Sequence, residues 1–144
     1  MTAPAVNISI QKRLLEEREH LIASFVGEMK DQRTGKLLSG FVDLAYPDGG
    51  SYIGEVIPDT LYRHGKGIFW YPKDDIYMGE WENDTFNGYG IYFFGSGERY
   101  EGELKKGLKE GKGTYYYVTG SYYSGGWAAD TKEGQGLYED PVKQ

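Results

Sequence analysis

Tyr77-Met78-Gly79-Glu80-Trp81, a polar turn, then Asn87-Gly88-Tyr89-Gly90-Ile91-Tyr92-Phe93-Phe94: this stretch decides the fold, because the chain writes it again 23 residues later. The next copy is Tyr100-Glu101-Gly102-Glu103-Leu104 with Glu110-Gly111-Lys112-Gly113-Thr114-Tyr115. After it comes Tyr123-Ser124-Gly125-Gly126-Trp127 with Glu133-Gly134-Gln135-Gly136-Leu137-Tyr138. Upstream, Tyr52-Ile53-Gly54-Glu55-Val56 leads to His64-Gly65-Lys66-Gly67-Ile68-Phe69. The faintest copy is first: Phe25-Val26-Gly27-Glu28-Met29, then Ser39-Gly40-Phe41-Val42-Asp43-Leu44, where Val42 replaces the second glycine. A fixed period of this length marks a repeat architecture.

Two distances test the alignment. The step from the glycine opening each second strand to the next unit's aromatic is 12 residues at all four junctions: 40 to 52, 65 to 77, 88 to 100 and 111 to 123. The step from a unit's first aromatic to that glycine is 11 residues in the last three units, 13 in the second and 15 in the first. The insertions therefore fall in the turn inside each hairpin, where extra length is tolerated. The units run 25–51, 52–76, 77–99, 100–122 and 123–140, behind an N-terminal arm and helix at 1–24 and ahead of a short tail at 141–144.

Composition agrees with many short strands and tight turns. Of 144 residues, 16% are aromatic, including 14 Tyr, and 22 are Gly. Tyr and Phe favour strands and Gly supplies turns. No cysteine is present, which excludes disulfides and thiolate metal sites. Residues 1–7 lack the basic and apolar regions of a secretory signal, and no run reaches the ~20 apolar residues of a spanning helix. These features lead to the expectation of an intracellular chain. The net charge is −6, and since Lys12, Arg13 and Arg18 balance Glu16, Glu17 and Glu19, all of the excess lies on the repeats.

The repeated residues resemble MORN (membrane occupation and recognition nexus) repeats, whose pattern is Tyr-x-Gly-Glu-Trp…Gly-x-Gly. The resemblance runs from Phe25 to about Tyr138. It implies a mainly β fold: a single-layer twisted antiparallel sheet of about five consecutive hairpins, forming an open trough, preceded by one amphipathic helix. Ten strands at ~4.8 Å spacing would span roughly 45–50 Å. It also implies a non-catalytic adaptor in cytoskeletal, ciliary or membrane-associated assemblies.

Alternation along the strands separates two faces. One carries Tyr77, Gly79, Trp81, Gly88, Gly90, Tyr92 and Phe94, then Tyr100, Gly102, Leu104, Gly111, Gly113, Tyr115 and Tyr117. A ring can lie flat over a glycine on the neighbouring strand, and such contacts are expected to staple each unit to the next. The other face holds Glu55, Glu80 and Glu103 with Ile53, Ile57, Ile68, Trp70, Met78, Ile91 and Phe93, an apolar patch that needs cover. Residues from about Ser9 to Ser24 read as a helix, capped by Asn7 or Ser9, with Leu14, Leu15, Leu21 and Ile22 on one stripe. That stripe either docks on the sheet, shielding its first edge strand, or belongs to a partner. The last strand, near Leu137–Glu139 and flanked by Pro141 and Lys143, is an edge suited to end-to-end or homo-oligomeric contact.

No catalytic constellation is present. His20 and His64 belong to separate elements, and the recurring Glu55, Glu80 and Glu103 suit hydrogen bonds to turn backbones better than one asymmetric active site. The Gly-x-Gly pairs sit in strands, so they are not phosphate loops. Neither a cofactor nor a metal is expected. The function expected is a scaffold that takes a partner helix or extended peptide on Tyr52, Tyr77, Trp81, Tyr92, Phe94, Tyr100, Tyr115, Tyr117, Tyr123 and Trp127, residue types enriched at hot spots. The alternative is phosphoinositide or anionic-lipid binding, which the charge of the repeats disfavours. Carbohydrate stacking would require export, and single-stranded nucleic acid, which could stack on such a face, would meet the wrong sign of charge.

Overall fold

The computed structural model describes residues 8–140. One helix, α1 (Ile8–Gly27), precedes nine strands: β1 (Phe41–Ala45), β2 (Ser51–Ile57), β3 (Tyr62–Trp70), β4 (Ile76–Glu82), β5 (Thr85–Phe93), β6 (Arg99–Lys105), β7 (Leu108–Tyr116), β8 (Tyr122–Ala128) and β9 (Thr131–Glu139). They form one open antiparallel sheet in chain order, with β1 and β9 at its edges. Nine strands at the usual spacing span about 40 Å. The mainly β, single-layer architecture is the one the repeats imply.

Each hairpin closes on a short turn. In the last three units the tip is a two-residue turn with both residues at positive φ: Asn83 and Asp84 (48° and 70°), Lys106 and Gly107 (51° and 82°), and Ala129 and Asp130 (47° and 71°). This is the twist-matched primed geometry of tight hairpins. The second unit has four residues between paired Ile57 and Tyr62, so its extra length does sit at the tip. Between units, the chain turns through Tyr46–Gly50, Tyr71–Asp75, Phe94–Glu98 and Tyr117–Ser121, each closed by an N–H of the first residue donating to the carbonyl of the last.

Inside every hairpin the register slips once. Gly79 pairs with Gly90, but Trp81 pairs with Phe86, so Glu80 alone faces three residues. The same slip recurs at Gly54/Val56, Gly102/Leu104 and Gly125/Trp127. The bulged strand turns on a glycine at positive φ, Gly65, Gly88, Gly111 or Gly134. The glutamates hold the bulge shut: a Glu55 carboxylate oxygen accepts the Lys66 N–H at 2.6 Å, Glu103 accepts that of Lys112 at 2.5 Å, and Glu80 that of Tyr89. These carboxylates are structural clamps, as their repetition implied.

The first unit departs from expectation. Phe25, Val26 and Gly27 are the last turn of α1, so the strand foreseen there is absent and nine strands form instead of ten. Val42 supplies the reason. In every other unit the tyrosine opening the hairpin lays its ring over the second glycine of the opposing strand; a Cβ on Gly90, for example, would lie 2.6 Å from Cε1 of Tyr77. At that position Val42 projects a branched side chain. Phe25 also lacks the hydroxyl that the other tyrosines use. With no seat on the sheet's aromatic face, Phe25 packs on the other side.

There, the helix covers the patch that needed it. Leu21, Ile22, Phe25 and Val26 pack against a core of Met29, Ile68, Ile76, Met78 and Phe93, with Ile53, Trp70 and Ile91 around it. Ile57 lies outside this cluster, near the hairpin tip opposite Tyr62. Arg99, 9% exposed, ties the helix further along the sheet by donating to Glu17 at 3.0 Å while also bonding Glu101 at 3.0 Å. The helix thus lies over the sheet's face; the expectation that it guards the β1 edge is not met. Of its proposed caps, Ser9 is inside the helix, while Asn7 falls outside the described residues.

Gly90→Ala places a methyl group in the Tyr77 ring and should cost about 3 kcal/mol or more, at the upper end of overpacking penalties. Gly27→Ala, at a helical glycine with nothing within 4 Å of the new Cβ, should be neutral or stabilising by up to about 1 kcal/mol. Denaturant melts of both variants check the contrast.

Candidate functional site

The aromatic face is built in two tiers. The lower tier is the four tyrosines that open the hairpins, Tyr52, Tyr77, Tyr100 and Tyr123, exposed by 0%, 0%, 1% and 8%. Each ring lies on the glycine opposite and donates its hydroxyl to the carbonyl three residues on: Glu55 at 2.6 Å, Glu80 at 2.8 Å, Glu103 at 2.7 Å and Gly126 at 3.1 Å. Burial pushes the hydroxyl pKa of Tyr52, Tyr77 and Tyr100 well up from the ordinary tyrosine value, so they stay neutral donors.

These rings staple the two strands of one hairpin. The staple between successive units is tryptophan. Trp81 donates its indole N–H to the Gly67 carbonyl of the preceding unit at 3.0 Å, and Trp127 does the same to Gly113 at 3.1 Å. Each sets its edge against the preceding tyrosine, Trp81 on Tyr52 at 5.5 Å and Trp127 on Tyr100 at 5.6 Å. Val56 and Leu104 occupy the same position without a donor. Hairpin tips add a second join between units: the Asp84 N–H donates to the Arg63 carbonyl at 2.8 Å, and that of Asp130 to Lys109 at 2.9 Å.

A further repeating position covers this tier. Arg63, Phe86, Lys109 and Lys132 recur two residues before each bulge glycine. Arg63 lies 4.6 Å over the Trp81 ring, Lys109 5.3 Å over Trp127 and Lys132 4.8 Å over Tyr123, while Phe86 stacks on Tyr77 at 4.5 Å. Arg63 is anchored by Asp84 at 2.6 Å and Lys109 by Asp130 at 3.5 Å. Burial alone would raise the Asp84 pKa, but hydrogen bonds and charge from Arg63 bring it below the ordinary value.

The upper tier is a continuous row crossing the sheet: Tyr46, Phe69, Tyr71, Tyr92, Phe94, Tyr115, Tyr117 and Tyr138, with successive ring centroids 4.7 to 6.2 Å apart. Carboxylates fix two of its members. Tyr92 donates to Asp75 and Tyr115 to Glu98, both at 2.7 Å. Burial first, with those neighbouring carboxylates, raises the pKa of both hydroxyls. Two hollows open beside the row on either side of Phe86. One, of about 240 Å³, is walled by Tyr92, Phe94, Leu104 and Lys109. The other, of about 310 Å³, is walled by Arg63, Phe69, Tyr71 and Trp81.

The ten residues expected to meet a partner thus divide. Tyr52, Tyr77, Trp81, Tyr100, Tyr123 and Trp127 are buried and committed to the sheet; Tyr92, Phe94, Tyr115 and Tyr117 are half-buried and offer ring surface. Of the helix residues, Leu21 and Ile22 pack on the sheet, Leu14 is buried, and Leu15 remains 37% exposed beside Trp70, Tyr71 and Ile76. Tyr46, Phe69, Tyr71, Phe86 and the capping cations escaped the sequence reading, although the 23-residue spacing of positions 63, 86, 109 and 132 could have revealed the caps.

Among the described residues no cluster of His, Asp and Glu could hold a metal ion. His20 is exposed on the helix, and Nδ1 of His64 accepts the Asn83 N–H at 3.3 Å. Among the same residues, no helix is long and apolar enough to cross a membrane.

A family model described as MORN repeat matches residues 62–76, 77–99, 100–122 and 123–142, more than half of the chain. No curated protein sequence is a match.

Trp81→Phe keeps most of the ring but removes the donor to Gly67, and should cost about 1 kcal/mol. Trp81→Ala should cost about 3–5 kcal/mol. Equilibrium unfolding of both variants separates the hydrogen bond from the packing.

Proposed function

Because the chain belongs to the MORN repeat family, a generally non-catalytic repeat family known in protein- and membrane-interaction modules, we propose that it is a scaffold gripping a helical segment of a partner protein across its aromatic face. The observation that carries this reading is the upper ring row from Tyr71 through Tyr92, Phe94 and Tyr115 to Tyr117. Its rings pack against one another, Tyr92 and Tyr115 are bonded to carboxylates, and the row is half-exposed and of the composition that supplies hot-spot contacts. The lower tier sets the row in place; the row itself meets the partner.

The sheet's own bonding favours a helix over an extended peptide. Strands β2 to β8 have neighbours on both sides, so the middle of the face offers no free backbone groups for strand addition. A helix arrives with its backbone bonds already made. Its pitch of about 5.4 Å is close to the ~4.8 Å strand spacing, so an i, i+3, i+4, i+7 stripe meets successive strands. The hollows flanking Phe86 suit single apolar side chains from that stripe.

The partner belongs, in this reading, to a cytoskeletal, ciliary or membrane-associated assembly in which the chain is one subunit. The helix contributes through the exposed Leu15 alone, since its main apolar stripe is spent on the sheet. The excess negative charge of the repeats favours a protein over an anionic lipid surface.

A photo-crosslinking residue at position 117 in the full chain, applied in native extract, identifies the captured partner segment. Against that segment, Phe94→Ala and Tyr117→Ala should each weaken binding by about 2 kcal/mol, with little change in melting. Unchanged affinity in both variants, or crosslinks to lipid alone, would remove the aromatic row as the binding surface.

A further inference from the structure

The second surface lies on the opposite face, beside the helix. Position 89 breaks the repeat's own rule. Between the two glycines of the Gly-x-Gly pair the other units place Lys66, Lys112 and Gln135, whereas this unit places Tyr89. Tyr89 is 57% exposed, and a hollow opens on each side of it. One, of about 370 Å³, is lined chiefly by apolar atoms of Phe25, Met78 and Ile91. The other, of about 490 Å³, extends over Glu103, Lys105 and Glu110.

The charges around Tyr89 are fixed in place and lean negative. Glu80 accepts the N–H of Tyr89 itself, and Glu103, directly opposite Tyr89 in the register, accepts that of Lys112. Lys66, on the rim of the first hollow, is already neutralised by Glu28 and lies 4.8 Å over the Phe25 ring. Lys105 alone offsets Glu80, Glu103 and Glu110 among the remaining charged lining groups.

We infer that this surface docks a second partner segment: an amphipathic helix laid beside α1, with apolar anchors in the hollows flanking Tyr89 and Lys or Arg toward Glu80, Glu103 and Glu110. The backbone limits that favour a helix on the aromatic face hold here too, because β4, β5 and β6 are mid-sheet strands. A helix on this face already exists in α1, and a second packs beside the first at the usual 8–10 Å.

The test uses the full chain and a synthetic helical peptide of about 18 residues, with Leu at i, i+3, i+4, i+7 positions and Lys on both flanks. An acidic twin carries Glu for Lys. Amide shift mapping should place the basic peptide on Phe25, Met78, Tyr89 and Ile91. The twin should bind at least about tenfold more weakly. Tyr89→Lys, which restores the residue type at positions 66 and 112, should leave melting unchanged and weaken the basic peptide at least about tenfold. Shifts confined to the aromatic face around Tyr92 and Tyr115, equal binding of the two peptides, or indifference to Tyr89→Lys would overturn the assignment. Because the two faces give separate shift patterns, failure here is distinguishable from failure of the aromatic-face reading.

Discussion

A tyrosine ring lying on a glycine needs two things at once: a bare backbone beneath it and a carbonyl within reach of its hydroxyl. Each of the last four hairpins meets both conditions, at Tyr52 over Gly67, Tyr77 over Gly90, Tyr100 over Gly113 and Tyr123 over Gly136. Much of the rest follows from the shape this contact imposes. The carbonyl that accepts the hydroxyl belongs to the residue at the register slip. That slip requires a glycine at positive φ across from it, and in three units a glutamate clamps the resulting bulge. In the last unit Gly126 replaces the glutamate, and a Cβ there would crowd the Glu133 carbonyl, so the tip closes without a clamp.

The same contact decides which ring surface stays exposed. A ring pressed on its own sheet and bonded to its own backbone has little surface to give, so in the proposed scaffold the four tyrosines and the two tryptophans serve the sheet. Surface is left one tier higher, where Tyr71, Tyr92, Phe94, Tyr115 and Tyr117 touch one another in a row. The cations at positions 63, 109 and 132 complete the division by covering the lower rings. A one-layer sheet cannot bury both faces by itself, and here α1 covers the other face over the second and third units. That cover ends near Tyr89.

Much of this was legible in the residues. The 23-residue spacing placed the hairpins, and the alternation separated the aromatic face from the face under the helix. It also marked Ile53, Ile68, Trp70, Met78, Ile91 and Phe93 as needing cover. Alternation specifies a face but not a direction, however. Tyr77 has glycines on both neighbouring strands, Gly67 and Gly90, and the pattern cannot say which one its ring chooses; hence the tyrosines were expected to join units when they close hairpins. Burial depth was hidden for the same reason, since buried and half-exposed rings alternate in one register. Phe25 to Met29 reads as a strand because Gly27 and Glu28 match the motif and Phe25 and Met29 put apolar side chains at its two ring positions, yet the obstacle, Val42, lies on another strand.

The bare glycine under the ring permits the hairpin to form, and Val42 in the first unit is the natural counterexample. Gly136→Val would repeat that condition at the other end of the sheet, where a Cβ lies 2.5 Å from Cζ of Tyr123. Residue-resolved amide hydrogen exchange of this variant tests the claim most directly. β9 should lose its protection while β3 to β6 keep theirs. Protection of β9 equal to that of the unaltered chain would contradict it.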